Sequence, residues 1–134
     1  MDAKLSTAVF NWLRHSGIKV SRTYLEHQLQ SHPDYPSLAS ITDTLDEFSI
    51  ENISMVVDKE RLDELPIPFL AHSHINGGGF IVISNVDKQI KQDKEFEKHW
   101  DGIVVLAEKP AAWYHSDNEN ALIKEKRIHQ QILL

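Results

Sequence analysis

Histidine offers the most chemistry in this chain, which has eight histidines and no cysteine among 134 residues. His72 and His74 are two positions apart in a segment with strand character, so both side chains would point to one face of a sheet. Two imidazoles could ligate zinc or another divalent metal. However, no third ligand lies nearby in the sequence, and no HExxH-type motif occurs. We therefore expect no metal site and no cofactor, and interpret the pair as the polar face of a strand.

A run of three glycines, Gly77 to Gly79, is the second feature that could carry chemistry. A phosphate-binding loop would also need a lysine and a following helix, and neither is present. Asn76 directly before the glycines instead favours a tight turn between two strands. The sequence therefore predicts an antiparallel hairpin at this position.

The composition is typical of one soluble globular domain, with 41% hydrophobic and 25% charged residues. The formal net charge of −6 disfavours binding to nucleic acid, because phosphate neutralisation supplies most of the non-specific affinity. No signal peptide and no apolar run of about 18 residues occurs, so we expect a cytoplasmic domain without direct membrane insertion. The missing cysteines exclude disulfides, thiolate zinc sites and thiol catalysis in this chain.

Hydrophobic periodicity predicts helices first and strands afterwards, which is the α+β class. Helical spacing marks residues 3–16, the segment from the N-cap Ser21 to Gln30, and 37–48. Alternation and turn signals then predict strands near 53–57, 69–73, 80–84, 88–91 and 103–107. A helical turn is expected at 58–62, and Asp93 is expected to cap a short helix that ends at His99. Residues 111–134 are interpreted as a linker and tail helix, which either leads to a membrane segment of a longer parent or docks on the domain.

Four segments, in this order, resemble the C39 (bacteriocin-processing) peptidase-like domain over about residues 3–107. They are His32-Pro-Asp-Tyr-Pro-Ser-Leu38, Leu65-Pro-Ile-Pro-Phe-Leu-Ala71, Gly79-Phe-Ile-Val-Ile83 and Phe96-Glu-Lys-His-Trp-Asp-Gly-Ile-Val-Val105. The resemblance implies a papain-like fold in which N-terminal helices pack on an antiparallel sheet. It also implies that residues 1–110 form this domain.

The family's chemistry requires a cysteine thiolate at the start of the first helix and a histidine base. The resemblance places the cysteine near Ala3 or Lys4 and the histidine at Gly79, with Asp87 or Asp93 as the aspartate that would orient it. Both the thiol and the imidazole are missing from these positions. Members of a catalytic triad act as a unit, so we expect a degenerate domain with no catalytic residues.

Domains of this kind occur at the N-termini of bacteriocin or toxin ABC exporters and of vitamin K epoxide reductase-like membrane proteins of bacteria. The resemblance therefore implies a domain that binds a peptide or an unfolded secretion substrate and contacts the transmembrane and other domains of its parent. Tyr35, Phe80 and Trp100 are the predicted peptide-binding residues, in an aromatic groove or beside an exposed sheet edge. Anchoring of its loop is equally compatible with Tyr35, and a core position with Trp100. An interaction module without a peptide ligand is the alternative function, and an active leader-peptide peptidase is a weaker one.

Overall fold

The computed structural model describes residues 4–74 and 79–109. The elements in chain order are α1 (Lys4–His15), α2 (Arg22–Gln30), α3 (Leu38–Glu47), β1 (Asn52–Val56), a 3-10 helix (Lys59–Glu64), β2 (Phe69–Ser73), β3 (Gly79–Ile83), a π-helical turn (Asp87–Lys91), α4 (Lys94–His99) and β4 (Trp100–Ala107). Helices precede an antiparallel sheet, so the predicted α+β class is confirmed.

The three N-terminal helices form because their apolar side chains recur at helical spacing and their ends are capped. Val9, Trp12 and Leu13 of α1 are completely buried, and Gly17 follows with φ +78°, a conformation that glycine adopts without steric cost. Ser21 caps α2 by accepting a hydrogen bond from a backbone N–H, as predicted. The same sequence signals therefore fix both the faces of the helices and their limits.

The four strands form one antiparallel sheet in the order β1-β4-β2-β3, so β1 and β3 are its edges. On one side, here called the α1 face, Leu70 and Val105 join the core built with the three N-terminal helices. On the other side, the α4 face, Phe69 and Val104 join a second core that includes Phe96 of α4. Both sides of the central strands are therefore buried, which explains their nearly continuous apolar sequences.

Two sequence predictions on local structure are wrong. Residues 88–91 were expected to form a strand, but they lie in the π-helical turn. Val86 and Ile90 are both buried in the second core, and their four-residue spacing suits a helical turn rather than an alternating strand. The last strand was expected near 103–107, yet β4 begins three residues earlier, at Trp100.

The remaining elements follow the sequence closely. Asp93 caps α4 by accepting a hydrogen bond from the N–H of Phe96 at 3.1 Å, as predicted. Over 4–74 and 79–109, no helix is both long and apolar enough to cross a bilayer. The turn at 75–78 and the predicted linker and tail helix at 111–134 lie outside the described residues.

Candidate functional site

An aromatic residue of β3 lies on the side of the sheet that faces α1. A base that activates a nucleophile must lie within hydrogen-bond reach of it, so a base for the start of α1 must project from the α1 face. Phe80 packs against the core on that face. Gly79 belongs to the opposite side because side chains alternate along β3, and a Cβ added there would meet open space. Phe80, rather than the predicted Gly79, is therefore the residue of β3 that lies on the side of the sheet from which a base would have to project.

The other predicted catalytic positions also lack the family's chemistry. α1 begins at Lys4, whereas Ala3 lies outside the described residues. Asp93 is used as the cap of α4, and Asp87 forms an ion pair with Lys91 at 3.7 Å. The two aspartates that the sequence offered as orienting groups therefore have structural contacts of their own.

A polar cluster lies at the end of β2, next to Phe80. His72 and Asp101 form a contact of 2.6 Å between Nδ1 and Oδ2, and Nε2 of His74 lies 3.0 Å from the same carboxylate oxygen. The His72 ring packs against the Phe80 ring with centroids 4.8 Å apart and meets the His74 ring edge-on at 5.0 Å. The sequence offers no third ligand near the two histidines, but the fold brings the Asp101 carboxylate of the neighbouring strand to them.

A bulge in β4 aims Asp101 at the histidines. The pairing between β2 and β4 changes register between Ala71 and Ser73, and Gly102 lies at φ +86° within the irregular stretch. A Cβ at Gly102 would come within 3.1 Å of a Val56 methyl and 3.2 Å of the Val57 carbonyl oxygen. Bulges of this kind often redirect a side chain. The signal in the sequence was the Asp101-Gly102 pair, whose meaning depends on which strand lies beside it.

Hydrogen bonds keep the Asp101 carboxylate charged. Partial burial raises the pKa of Asp101, but the hydrogen bond from His72, the Ile103 N–H and the nearby histidines together outweigh it, so the pKa is lowered from its usual value of 3.8. The Ile103 N–H donates to Oδ1 at 3.1 Å. Oδ2 is thereby left facing both imidazoles.

The three predicted peptide-binding residues do not lie on one surface. Tyr35 and Phe80 are half-buried against the core on the α1 face. Trp100 packs against the second core, and its indole N–H donates to the Ile103 carbonyl at 3.3 Å. A single groove formed by all three is therefore excluded by the sheet between them. For Tyr35 the contact favours the interpretation in which it anchors its loop.

The first edge strand, β1, has backbone groups that face away from the sheet. Glu51 accepts a hydrogen bond from the N–H of Glu108, and the Val57 N–H donates to Gly102 O, both at 2.9 Å. In an antiparallel pair, every second residue directs its N–H and C=O towards the partner strand. Residues 51, 53, 55 and 57 thus face β4, and Asn52, Ser54 and Val56 present their backbone groups at an edge that no strand within 4–74 and 79–109 covers.

An apolar groove lies beside this edge. A cavity of about 520 Å³ is lined by residues that include Ile53, Pro66, Leu106 and Ala107. Ile53 is 53% exposed and Val56 of the same strand is 74% exposed. Sequence analysis missed this surface because alternation along a strand does not reveal which of its edges is covered.

Comparison with known proteins supports the resemblance in sequence and fold. The model of the Peptidase C39 family matches residues 7–112, most of the chain. The chain belongs to the Peptidase C39 family. A solved structure with the same fold is the peptidase domain of Streptococcus ComA, described as a bifunctional ABC transporter involved in a quorum-sensing pathway. This C39 domain shares 15% sequence identity with it at a TM-score of 0.58, over 82% of this chain and 95% of that one. No curated protein sequence matches.

Family membership and fold are thus established for a chain that has no cysteine. Relative to the expected mechanism, this C39 domain has an aromatic residue on the sheet face where the base would lie. It also has an oriented pair, His72 and Asp101, one strand away. The chain therefore has no thiol for the family's chemistry, and it has a polar cluster of His72, His74 and Asp101 on the sheet.

Proposed function

We propose that this C39 domain is a non-catalytic module that docks an extended peptide or an unfolded secretion substrate for a bacterial membrane transporter. The observation that carries this proposal is the open edge of β1 beside an apolar groove. Strand addition to an exposed edge gives main-chain hydrogen bonds, and adjacent pockets select alternate side chains. The outward-facing groups of Asn52, Ser54 and Val56 supply the first requirement, and the groove at Ile53 and Leu106 supplies the second.

The edge at β1 suits a peptide better than the edge at β3. Gln89 of the π-helical turn donates from Nε2 to the Val82 carbonyl at 2.9 Å, and its Oε1 accepts from the N–H groups of Ser84 and Asn85. A side chain therefore already uses backbone groups at the end of β3, which is one way in which proteins protect edge strands. An incoming strand would have to displace it there, whereas β1 has no equivalent contact among the described hydrogen bonds.

The absence of catalysis in the proposal follows from side-chain chemistry. The chain has no thiol, and β3 presents the aromatic ring of Phe80 on the side of the sheet that faces α1, so neither the family's nucleophile nor a base on β3 is present. Nucleophilic catalysis loses nearly all of its rate when either member is removed. Binding is what such a scaffold retains.

A membrane transporter is proposed as the parent because a solved domain with this fold belongs to a membrane transporter. The ComA peptidase domain is part of an ABC transporter, and the sequence resemblance implies a similar arrangement here. We place this domain on the cytoplasmic side of such a parent, in contact with its transmembrane and other domains. A vitamin K epoxide reductase-like parent is the other architecture that the sequence resemblance suggested.

The docking proposal is tested by NMR. Leader peptides ending in a double glycine, and unfolded segments of secreted proteins, are titrated into the 15N-labelled chain. The amides of Asn52, Ser54 and Val56 should shift. Ile53→Asp should weaken binding by at least about tenfold, equivalent to about 1.4 kcal/mol.

A matched control comes from the opposite edge strand. Ile81 on β3 is also exposed, at 41%, and Ile81→Asp should leave binding unchanged. If no peptide produces site-specific shifts, the docking proposal is abandoned in favour of an interaction module that contacts only its parent. Shifts centred on Phe80 and Tyr35 instead would move the binding site to the α1 face.

A residual hydrolase is the second candidate, and one observation favours it. His72 is held by Asp101 at 2.6 Å, which is how a catalytic base is oriented. The hydroxyl of Ser6 on α1 is buried and accepts a hydrogen bond from Gln30 at 3.4 Å, so a nucleophile would have to be freed first. Incubation with a double-glycine leader peptide should give no cleavage. Cleavage that disappears in His72→Asn would establish the hydrolase.

A further inference from the structure

Three side chains from two neighbouring strands converge on one point of the sheet. Nδ1 of His72, Nε2 of His74 and a carboxylate oxygen of Asp101 all lie within 4.8 Å of one another. The two strands are brought into this relation by the bulge around Gly102. Neither the family's thiol mechanism nor peptide docking at β1 requires such a convergence.

We propose that His72, His74 and Asp101 bind a divalent transition-metal ion of the Zn²⁺ type. Two imidazole nitrogens and one carboxylate oxygen are a ligand set that zinc uses in proteins when a fourth position stays open to water or a substrate. Imidazole also suits copper, iron and nickel, whereas magnesium and calcium prefer sites built from oxygen alone. The chemistry of the donors therefore selects a first-row transition metal of intermediate softness.

The distances fit such an ion after small side-chain movements. Metal–ligand bonds of about 2.0–2.2 Å in tetrahedral geometry place the ligand atoms about 3.4 Å apart. Two of the three pairs of ligand atoms are now 2.6 Å and 3.0 Å apart. A bound ion would replace these two hydrogen bonds, and each pair would have to move apart by less than about 1 Å. The His74 side chain is 63% exposed, which leaves it room to move.

Surrounding contacts hold the ligands in place, as supporting groups do in natural metal sites. Oδ1 of Asp101 accepts the Ile103 N–H at 3.1 Å, which leaves Oδ2 for the ion. The His72 ring rests on Phe80. The backbone of His74 is fixed by its N–H, which donates to His99 O at 2.9 Å. The backbone positions of all three ligands are thus set before any ion arrives.

The burial of the cluster gives it one protected side and one open side. The side chains of His72 and Asp101 are only 22% and 19% exposed, so they form the inner wall. The more exposed His74 lies at the mouth. An ion held here would have its open coordination position directed to solvent, where a water, a carboxylate or a third imidazole could bind.

The test is a titration of the untagged full chain with Zn²⁺ alone, followed by calorimetry, and with Co²⁺, followed by its visible absorption. The wild-type chain should bind one ion per molecule and gain thermal stability with Zn²⁺. His72→Asn and His74→Asn should each weaken binding by at least about tenfold, the lower end of the losses seen when groups around a metal are changed. Because His74 is mostly exposed, His74→Asn keeps the test valid if substitutions at Asp101 unfold the chain.

The matched control is His32, which also touches a carboxylate. Its Nε2 lies 2.8 Å from Asp43, so it offers one imidazole and one carboxylate without a second histidine among the described contacts. His32→Asn should leave Zn²⁺ affinity unchanged. Equal affinity in wild type and His74→Asn, or an equal loss in His32→Asn, would overturn the proposal and identify adventitious binding. No peptide is present in this experiment, so its result is independent of the docking proposal.

Discussion

The two ends of β4 carry opposite kinds of surface. At its beginning, Asp101 gathers two histidines into a polar cluster whose groups are paired with one another. At its end, Leu106 and Ala107 line an apolar groove beside β1, whose outward backbone groups face an open edge. One strand thus has a cluster of imidazole and carboxylate groups near its beginning and an apolar groove beside its end.

With the function proposed above, this difference explains how a C39 scaffold without catalysis could keep a binding surface. The family's chemistry needs a nucleophile on α1 and a base on the sheet, which are two side chains. A strand-addition site depends on backbone geometry and on which edge remains uncovered. Side-chain substitution erases the first kind of site easily and leaves the second kind intact, so recognition is expected to outlast catalysis.

The largest effects are expected from a pair of proline substitutions in β1, which compare its inner and outer backbone N–H groups. The Met55 N–H faces β4, so Met55→Pro should remove a ladder hydrogen bond and destabilise the fold by about 1–3 kcal/mol, measured by urea denaturation. The Ser54 N–H faces the open edge, where proline is tolerated. Ser54→Pro should therefore change stability much less but weaken peptide binding by at least about tenfold.

These two variants test the alternation of hydrogen bonds that is inferred along β1. Equal destabilisation by both prolines would mean that the Ser54 N–H is paired and that the edge is not open. Peptide affinity that survives in Ser54→Pro would remove strand addition as the docking mode, and would leave the groove at Leu106 as the part that binds.

The second prediction concerns Gly102, which lies between the two surfaces. Gly102→Ala combines a positive φ with a Cβ only 3.1 Å from Val56 and 3.2 Å from the Val57 carbonyl, so a cost of about 1–3 kcal/mol is expected. Gly79→Ala is the control, because a Cβ there meets open space and a compatible Gly→Ala change is neutral or stabilising by up to about 1 kcal/mol. Thermal denaturation of both variants measures the difference.

The same two variants test whether the bulge at Gly102 directs the Asp101 side chain towards His72 and His74. Gly102→Ala should shift the NMR signals of the His72 and His74 rings, since the bulge aims Asp101 at them. Unchanged ring signals in a destabilised Gly102→Ala variant would show that the cluster does not depend on the bulge.

Much of the fold was readable from the sequence because it is encoded locally. The spacing of Val9, Trp12 and Leu13 gave the first helix, and Ser21 and Asp93 gave helix starts that their hydrogen bonds confirm. The family resemblance supplied the global arrangement, which neither periodicity nor composition could provide.

The parts that the sequence did not reveal depend on contacts between distant residues. Asp101 lies 29 positions from His72, and it reaches the histidine only because β4 inserts beside β2 and bulges there. Likewise, β1 pairs with the last strand, so its free edge follows from strand order rather than from its own alternation. In the π-helical turn, the burial of Ile90 overrode a local pattern that resembled a strand.

A third prediction separates the two edges of the sheet. Gln89→Ala removes the side chain that satisfies the Val82 carbonyl and the N–H groups of Ser84 and Asn85. Because these hydrogen bonds are largely exposed, we expect a loss of about 1 kcal/mol in unfolding free energy. Hydrogen exchange should accelerate at Ser84 and Asn85 and stay unchanged in β1. Unaltered exchange at both amides would show that Gln89 does not protect the β3 edge.

The smallest effect is expected at the ion pair that ties the segment after β1 to α4. Nζ of Lys59 lies 2.7 Å from Oε1 of Glu97, and this hydrogen bond, despite partial desolvation, lowers the pKa of Glu97 below its usual value of 4.5. A carboxyl with a lowered folded-state pKa stabilises the fold above its unfolded pKa and loses that contribution as pH falls through the folded value. Glu97→Gln should thus be slightly less stable than wild type at pH 7.

The two proteins should converge in stability at an acidic pH below the lowered pKa of Glu97, where this carboxyl is neutral in both folded and unfolded chains. Urea denaturation at the two pH values measures this, with Glu95→Gln on the same helix as the control, because Glu95 is largely exposed and lies 3.9 Å from its nearest partner, His99. A difference between wild type and Glu97→Gln that persists unchanged into acid would mean that the carboxylate contributes through packing rather than charge. The contact between the segment after β1 and α4 would then stabilise the fold through packing of the two side chains.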